Sequence, residues 1–323
     1  MNKLVSVIIP VYNAELWIEN AIKNIIGQTY SNWELIIVDD GSTDKSKEIC
    51  KVYSERDSRI KLICKENGGP GSARNVGLDN IKGDYFIMID SDDILYKDAL
   101  ETFIKKADDT NADVVISGYS VNDISAEKTI NYCVEREQFI SFKDDKQLEL
   151  LIQHNLMASN WNKFYSNRLS SLRFDESITI NEDVIFSLKA VKKANRIISI
   201  PNTLYEYIFH SQESLSTKFH PELPKTLDEM DSILSDEKNK VSSIIIKRWL
   251  MDYLFVYFRM VCLKTEIDNE RKELIKLGVD SKVFKKYGKI VIADTFLRKL
   301  SIILLKMKAF KFFINLMKRK GRA

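Results

Sequence analysis

Three carboxylates stand within four residues directly after an apolar run, Tyr85–Ile89, and they are Asp90, Asp92 and Asp93. The run has aromatic and β-branched residues without a helical period, which predicts a fully buried β-strand. In open α/β sheets, ligands bind at the edge where such strands end. Asp90 and Asp92 are two residues apart, so a bend can turn both toward one Mg²⁺ or Mn²⁺. The alternative is a polar turn whose acids cap the next helix.

A second acidic segment follows the apolar run Trp33–Val38 and begins with Asp39 and Asp40. These two carboxylates are candidates to accept hydrogen bonds from uracil N3–H or from ribose hydroxyls. Asp44, at the end of the segment, is better explained as the cap of its own helix.

A glycine-rich turn, with Gly68, Gly69 and Gly71, precedes a predicted helix. Glycines there allow a phosphate to approach the backbone, and Arg74 in the first helical turn could reach a diphosphate. A turn of this kind is weak evidence by itself. Combined with the two acidic segments, however, it supplies the parts that a nucleotide site needs.

The elements that position these residues alternate strictly between strand and helix over about 118 residues. Such alternation predicts an α/β fold with a mostly parallel central sheet covered by helices. The predicted strands are Leu4–Val11, Trp33–Val38, Ile60–Cys64, Tyr85–Ile89 and Asp113–Ser117, and the predicted helices are Glu15–Ile26, Asp44–Arg56, Ser72–Ile81 and Lys97–Asp108. In a parallel sheet the three acidic or polar loops lie along one edge, so their side chains are expected to converge.

Later segments are less regular. Residues 121–146 are predicted to form edge hairpins or a loop, Arg196–Ile200 a strand ended by Pro201, and Tyr205–Phe209 another strand. Beyond residue 220 the pattern is helical, with a strongly apolar helix over Ile244–Leu263. The predicted organisation is a nucleotide-binding half (1–118), an acceptor half (119–220) and a helical C-terminal region (221–323).

Composition and charge argue against some classes of function. The net charge of +3 over 323 residues does not suggest nucleic acid, and the four cysteines lack zinc-ligand spacing. The chain enters a strand by Leu4 without a signal peptide and has no run of about 18 apolar residues, which predicts a cytoplasmic protein. The charge is uneven, because residues 288–323 hold ten Lys or Arg and one acid.

Four segments, in this order, resemble the motifs of the family 2 glycosyltransferases of GT-A fold: Ser6–Asn13, Val38–Asp44, Asn67–Gly77 and Ile89–Asp93. Each motif alone is weak, whereas four in register over residues 4–95 are specific. Further matches resemble the second half of the bacterial polysaccharide members, namely Trp161–Lys163, Asn181–Asp183 with Phe186, and the pair Tyr205 and Tyr207. The resemblance covers about residues 4–217 and says little about the tail.

The resemblance implies roles for individual residues. Pro10, Tyr12 and Asp39 would hold the base, Arg74 would lie near the base and diphosphate, and Asp90 would contact ribose or metal. Asp92 would ligate a Mn²⁺ or Mg²⁺ ion on the diphosphate. Asp183 would be the catalytic base, with Glu182 as the alternative. The full candidate sets are, for base and diphosphate, Pro10, Tyr12, Asp39, Asp40, Gly69, Arg74, Asp90 and Lys163; for metal, Asp90, Asp92 and His210; and for catalysis, Asp183.

Three later residues carry open alternatives. His210 is a candidate further metal ligand or an ordinary loop histidine. Trp161 is a candidate platform for a sugar ring or a core residue. Lys163 could pair with the diphosphate or with an acidic side chain.

The resemblance implies an inverting transfer of one sugar from a nucleotide-diphosphate sugar, a UDP-sugar, to a glycan or lipid-linked acceptor. Processive members carry Gln-x-x-Arg-Trp beside membrane-spanning helices, and here position 245 before Arg248–Trp249 is Ile. The alternatives are a sugar-nucleotidyltransferase, which lacks support in Pro10–Asn13, and an inactive nucleotide-binding scaffold. The sequence leaves an oligomer possible.

The basic tail from Asp294 onward shows polar residues at helical spacing and an apolar face opposite. The polar face is Asp294, Arg298, Ser301, Lys308, Lys311, Asn315, Lys318 and Arg322, and the apolar face is Phe296, Leu300, Ile303, Leu304, Met307, Phe310, Phe313, Ile314 and Met317. This pattern predicts one helix lying on an anionic membrane surface, at the inner face of the cell membrane. The alternative is a helix that docks on the protein or on a partner subunit.

Overall fold

The computed structural model describes residues 3–210, 219–235, 243–264, 268–289 and 295–320. The chain divides into two compact units, Met1–Gln212 and Glu213–Ala323. The sequence predicted a boundary between residues 220 and 221, and a further division at 118/119 that stays a prediction.

Within residues 3–210, ten strands form one sheet. They are β1 (Val5–Val11), β2 (Trp33–Asp39), β3 (Ile60–Cys64), β4 (Tyr85–Met88), β5 (Ile94–Leu95), β6 (Val114–Asp123), β7 (Lys128–Tyr132), β8 (Gln138–Ile140), β9 (Lys163–Ser166) and β10 (Ile197–Phe209). The main order is β3-β2-β1-β4-β9-β6-β10-β5, with β7 beside β6 and β8 beside β10. Pairing is parallel at β3-β2, β2-β1, β1-β4 and β6-β10, and antiparallel on both sides of β9. The predicted α/β class with a mostly parallel sheet is confirmed.

Helices cover this sheet: α1 (Ile18–Ile26), α2 (Ser46–Arg56), α3 (Gly69–Leu78), α4 (Ala99–Thr110), α5 (Asp145–Gln153) and α6 (Glu182–Lys193). The strands β1 and β2 are buried at nearly every residue, as expected for parallel strands with helices on both faces. The apolar face of α1 is buried through Ile18, Ala21, Ile22 and Ile25. The helix α3 packs on β1 and β2, which fixes the glycine-rich turn beside the sheet edge.

The strand β10 runs through Pro201, where the sequence predicted two strands. Its register against β6 shifts between Ser199 and Thr203 and again before Tyr205. Pro201 lies in this irregular stretch, so its missing N–H removes no bond from the β6 ladder. The continuous strand includes Tyr205 and ends at Phe209, directly before His210.

The second unit is helical, as predicted: α7 (Leu223–Leu234), α8 (Ile244–Lys264), α9 (Asp268–Asp280), α10 (Lys282–Tyr287), α11 (Phe296–Lys306) and α12 (Phe310–Lys320). The helix α8 contacts α7, α9, α10 and α12 and is the centre of this unit. Among the described residues, none of the helices combines the length and the hydropathy needed to span a bilayer.

The predicted single amphipathic tail helix is wrong in its geometry. The segment forms two helices, α11 and α12, separated near Lys308, whose φ of 55° ends the first one. Ser301, expected on the polar face, is fully buried, whereas Ile303, expected on the apolar face, is exposed. The helix α12 packs on α8, with the rings of Phe313 and Phe258 5.7 Å apart. The break shifts the helical phase, so one period cannot describe both halves; Asp294 and Arg322 lie outside the described residues.

Gly77 allows α3 to approach β1, and its replacement is expected to destabilise the first unit. A Cβ at Gly77 would lie 2.4 Å from Cγ2 of Ile8, a core side chain. We expect Gly77→Ala to lower the free energy of unfolding by about 1–3 kcal/mol, measured by urea denaturation. Gly27→Ala is the control, because the nearest atom there is 3.3 Å away. Equal stability of the two variants would contradict the close packing.

Candidate functional site

The loops that follow β1 and β2 are joined to each other at the sheet edge. The N–H of Asp40 donates to the carbonyl of Val11 at 2.8 Å, and the N–H of Thr43 donates to Oδ1 of Asn13 at 2.9 Å. Oδ1 of Asp44 accepts from the N–H of Ser46, the first residue of α2, at 2.9 Å, although the N-cap position itself is Lys45. The predicted convergence of these loops therefore rests on direct hydrogen bonds.

Asp39 and Asp40 are neighbours with different surroundings. Both are buried, and Oδ1 of Asp39 has no hydrogen-bond partner among the described residues. Asp40 accepts from Nζ of Lys65 (2.7 Å) and from the N–H groups of Gly68 (3.0 Å) and Gly69 (2.8 Å). Asp39 thus keeps a free acceptor for a ligand. Asp40 instead holds the glycine-rich turn, and its expected contact with the nucleotide stays a prediction.

Gly69 is in the left-handed region, with φ of +86°, at the start of α3. A side chain there would be strained, although no described atom beyond the adjoining residues and helix backbone lies within 4 Å of the point that its Cβ would occupy. The turn is therefore open on that side, as a site for backbone approach by a phosphate requires.

Arg74 is buried (6% exposed) and joins distant parts of the chain. Its Nη2 donates to Oδ1 of Asp90 at 2.8 Å, and its Nη1 donates to Oε1 of Glu182 at 3.0 Å. Burial opposes the charged form, yet Asp90 and Glu182 raise the pKa of Arg74 above its usual value. Nε of Arg74 has no hydrogen-bond partner among the described residues.

Asp183 is the second residue of α6, directly after Glu182, and is partly buried. Its Oδ1 accepts from the N–H of Val184 at 2.7 Å. Burial, followed by the neighbouring charge of Glu182, raises the pKa of Asp183 to about 7, and Arg74 opposes that rise. Since Glu182 is committed to Arg74, Asp183 is the carboxylate that remains available as a base.

Asp92 and His210 face each other, with Oδ2 of Asp92 3.8 Å from Nε2 of His210. Nε2 has no hydrogen-bond partner in the described part of the chain, and the ring of Trp17 lies against the imidazole with centroids 4.3 Å apart and planes inclined by 35°. Burial and the charge of Asp90 raise the pKa of Asp92. An unpaired imidazole nitrogen beside a carboxylate fits a divalent cation.

Among the residues described, no group of three or more His, Cys, Asp or Glu is placed to hold a metal ion. A cation at Asp92 and His210 would therefore take its other ligands from a substrate or from water, as Mg²⁺ commonly does. Asp90 is expected to contribute less directly, because one of its oxygens is paired with Arg74.

Asp93 does not cap the following helix, which was the alternative that the sequence allowed. It is buried, and its oxygens accept from the hydroxyl of Tyr205 at 2.6 Å and from the N–H of Ile208 at 2.9 Å. The helix α4 begins later, at Ala99. Asp93 instead ties the loop after β4 to β10.

Lys163 and Trp161 are core residues, which corrects the proposed contact of Lys163 with the diphosphate. Lys163 is fully buried, and its ammonium donates to the carbonyls of Leu156 and Ser159 and to Oδ1 of Asn162. Trp161 is 8% exposed and stacks on Tyr205 with centroids 4.3 Å apart. Burial lowers the pKa of Lys163 to about 7, but three acceptors at one ammonium favour its charged form.

Pro10 lies partly buried at the end of β1, and Tyr12 beyond it is 54% exposed. Both stand at the same sheet edge as Asp39, because Val11 pairs with Asp39 in the parallel register. The sequence analysis assigned no role to two polar residues, Asn160 and Asn181, whose side chains each keep an unpaired atom among the described residues. Asn181 has a φ of 60° directly before α6, and Asn before an acidic helix start was the available signal.

The family model described as "Glycosyl transferase family 2" matches residues 6–168 of the chain. The glycosyltransferase GlyG from Streptococcus pneumoniae is 32% identical over 241 residues, which cover 68% of this chain and 75% of GlyG. The chain belongs to glycosyl transferase family 2. The predicted family and, at the level of its class, the predicted glycosyltransferase are confirmed.

Other relatives agree at lower coverage. GlyA from Streptococcus pneumoniae is 36% identical over 217 residues, which cover 63% of this chain but only 30% of GlyA. The putative glycosyltransferase EpsH from Bacillus subtilis is 29% identical over 271 residues, covering 81% of this chain and 77% of EpsH. The chain thus spans about a third of one relative and about three quarters of the other.

Solved structures show the same fold. S. aureus TarS 1-349, in complex with UDP-GlcNAc, matches with a TM-score of 0.74 at 21% identity, covering 98% of this chain and 92% of that chain. The mannosyltransferase PcManGT from Pyrobaculum calidifontis, in complex with GDP-Man and Mn²⁺, matches with a TM-score of 0.51 at 15% identity, covering 98% and 85%. The predicted GT-A fold is confirmed.

The raised pKa of Asp183 makes a pH-dependent contribution to stability. The folded state holds a proton on Asp183 up to about pH 7, whereas the unfolded chain releases it near pH 3.9. Stability from this group is therefore lost as pH rises from about 4 to 7. We expect Asp183→Asn to unfold like wild type at pH 4 and to be more stable at pH 8, by on the order of 2 kcal/mol. Urea denaturation at both pH values measures it, and a pH-independent difference would contradict the shift.

Proposed function

We propose that this chain is an inverting glycosyltransferase that moves one sugar from a UDP-sugar to a hydroxyl of a glycan or lipid-linked acceptor in surface polysaccharide synthesis. The observation that carries the proposal is Asp183, a carboxylate free of Arg74 with a pKa raised to about 7 at the edge of a family 2 sheet. The UDP-GlcNAc complex of TarS supports a uridine nucleotide as the donor.

The uridine end of the donor would be held at the ends of β1 and β2. The unpaired Oδ1 of buried Asp39 would accept from uracil N3–H, since a buried acceptor without a partner is costly unless a ligand satisfies it. The exposed ring of Tyr12, with Pro10, would pack beside the base. Gly69 would leave room for a phosphate, and the unpaired Nε of Arg74 would be satisfied near the diphosphate.

Asp92 and His210 would hold a Mn²⁺ or Mg²⁺ ion, with Asp90 contributing to the ion or to the ribose. When bound, the cation stabilises negative charge on the departing UDP. The distance of 3.8 Å between the Asp92 carboxylate and Nε2 of His210 supports this assignment. The Mn²⁺ in the PcManGT complex is consistent with the same chemistry in a distant structure.

Asp183 would take the proton of the acceptor hydroxyl. The oxygen of that hydroxyl forms a bond to the anomeric carbon while the bond from that carbon to the diphosphate oxygen breaks, and the proton passes to Asp183. A pKa of about 7 suits a general base that works near neutral pH. Glu182 is less suited, because its charge is neutralised by Arg74 at 3.0 Å.

Replacing Asp183 is expected to separate nucleotide binding from transfer. We expect Asp183→Asn to retain UDP affinity within about threefold and to lose transfer by roughly 10²–10⁴-fold, because only proton removal is impaired. A panel of nucleotide sugars with Mn²⁺, read by thermal shift, first identifies the donor, and release of its nucleoside diphosphate then measures the rate.

The matched control for this test is Asp79→Asn, which removes a carboxylate that pairs with Arg173 on the surface. It should transfer at the wild-type rate. If Asp183→Asn retains more than a tenth of wild-type transfer, the base lies elsewhere. If no nucleotide sugar stabilises the wild-type chain, the proposed donor class is wrong.

We also propose that the second unit associates with the anionic inner face of the membrane, where a lipid-linked acceptor would be presented. Met307 and Phe312 are 72% and 70% exposed, at the end of α11 and in α12, within a segment that is strongly basic. Exposed apolar side chains among cations are typical of interfacial binding. The apolar side chains available are fewer than the sequence predicted, because Phe313 and Ile314 are buried.

Polar replacement of these two exposed side chains is expected to weaken vesicle binding. We expect Met307→Ser with Phe312→Ser to reduce binding to vesicles of anionic phospholipid by about tenfold, measured by co-sedimentation, without loss of UDP binding. Leu277→Ser is the control, since Leu277 is 49% exposed on α9. Unchanged sedimentation of the double variant would refute this proposal and leave the transferase proposal standing.

A further inference from the structure

We infer that Asp93 and Tyr205 are positioning residues that hold Asp92 and His210 at the spacing a divalent cation needs. The inference rests on the proposed metal role of Asp92 and His210. Neither positioning residue would touch the cation. Their effect would pass through the two chain segments that carry the ligands.

Asp93 joins those two segments directly. It follows Asp92 in the loop after β4, and its Oδ1 accepts at 2.9 Å from the N–H of Ile208, two residues before His210. One buried carboxylate therefore bridges the backbone next to one candidate ligand and the backbone next to the other. A shift of either segment would break this hydrogen bond.

Tyr205 closes the connection from the other side. Its hydroxyl donates to Oδ2 of Asp93 at 2.6 Å and accepts from the N–H of Asp90 at 3.2 Å. The hydroxyl thus fixes both the first and the last acid of the loop that contains Asp92. We call Asp93, Tyr205 and the N–H groups of Asp90 and Ile208 the clip.

The Tyr205 ring cannot move away to release the loop. It is fully buried and stacks on Trp161 with centroids 4.3 Å apart and planes 11° from parallel. The backbone of Tyr205 also pairs with Leu95, just beyond the acidic loop. The hydroxyl is therefore held by packing as well as by its hydrogen bonds.

The loop has a physical need for such a clip. Asp90, Asp92 and Asp93 repel one another within four residues, and without donors the loop would relax toward solvent. The two proposed protein ligands are Asp92 and His210, 3.8 Å apart, so the affinity for the cation depends on their being held at the right spacing before binding. The clip supplies donors to the acid that is not a ligand and leaves Asp92 free.

The test is Mn²⁺ binding to the full chain in the presence of UDP, followed by electron paramagnetic resonance of free Mn²⁺. We expect Tyr205→Phe, which removes only the hydroxyl, to weaken Mn²⁺ affinity by about tenfold or more. Its affinity for UDP in EDTA should stay within about twofold of wild type. Tyr207→Phe is the matched control, since Tyr207 is on the same strand and its ring also stacks on Trp161, with centroids 6.0 Å apart.

A merely structural role would lower the melting temperature and leave Mn²⁺ affinity of the folded protein unchanged, and that result would overturn the inference. Asp93→Asn is the second variant should Tyr205→Phe fail to fold. Its side chain has one acceptor oxygen for two donors, the Tyr205 hydroxyl and the Ile208 N–H, so it too should bind Mn²⁺ more weakly. Asp92→Asn separates the two proposals. If it binds Mn²⁺ as wild type does, or if wild type binds none, the metal role itself falls, and the inference with it. If Asp92→Asn loses Mn²⁺ while Tyr205→Phe and Asp93→Asn keep it, only the inference falls.

Discussion

The site depends on one buried cation, the guanidinium of Arg74 between Asp90 and Glu182. A desolvated arginine is tolerated only when carboxylates compensate it, and here they come from residues 16 and 108 positions away. The start of α3, the loop after β4 and the start of α6 must therefore meet at one point. Loss of either carboxylate would leave the buried guanidinium of Arg74 with only one hydrogen-bonded carboxylate.

This arrangement also decides which acid is free to react. Three carboxylates, those of Asp90, Glu182 and Asp183, surround one guanidinium, and two of them hydrogen-bond to it. Asp183 is left with burial and a neighbouring negative charge, which together raise its pKa to about 7. The same charge imbalance that destabilises the folded state at neutral pH would give the chain the base that we propose, a usual compromise at functional sites.

The sequence predicted the scaffold of this site well, because its signals are local. Buried strands such as Tyr85–Met88 are continuous apolar runs, and the order of the motifs identified the family. Local sequence signals do not predict the role of a residue when its contacts with residues distant in the sequence determine that role. Asp39 and Asp40 are the same residue type side by side, and only the position of the glycine-rich turn makes Asp40 structural. Lys163 resembles a phosphate ligand until the carbonyls of Leu156 and Ser159 are seen around it.

The tail and β10 show the same limit for whole elements. The predicted helical period runs through Lys308, where a left-handed residue ends one helix and the next begins with another phase. A proline normally ends a strand, but Pro201 lies where the register against β6 shifts, so β10 continues past it. In both places the backbone departs from regular geometry, which single-residue preferences do not encode.

The number of hydrogen bonds that each polar side chain makes distinguishes the residues that position the site from those that we propose to contact a ligand. Asp40, Asp93 and Lys163 find partners for their polar atoms within the chain. Asp39, Arg74 and His210 each keep one polar atom without a hydrogen bond among the described residues. An unsatisfied buried polar atom costs about 1–3 kcal/mol, which a ligand that supplies the missing partner returns as binding free energy. An acceptor at Asp39, a donor at Arg74 and an imidazole nitrogen at His210 together match a base, a diphosphate and a cation.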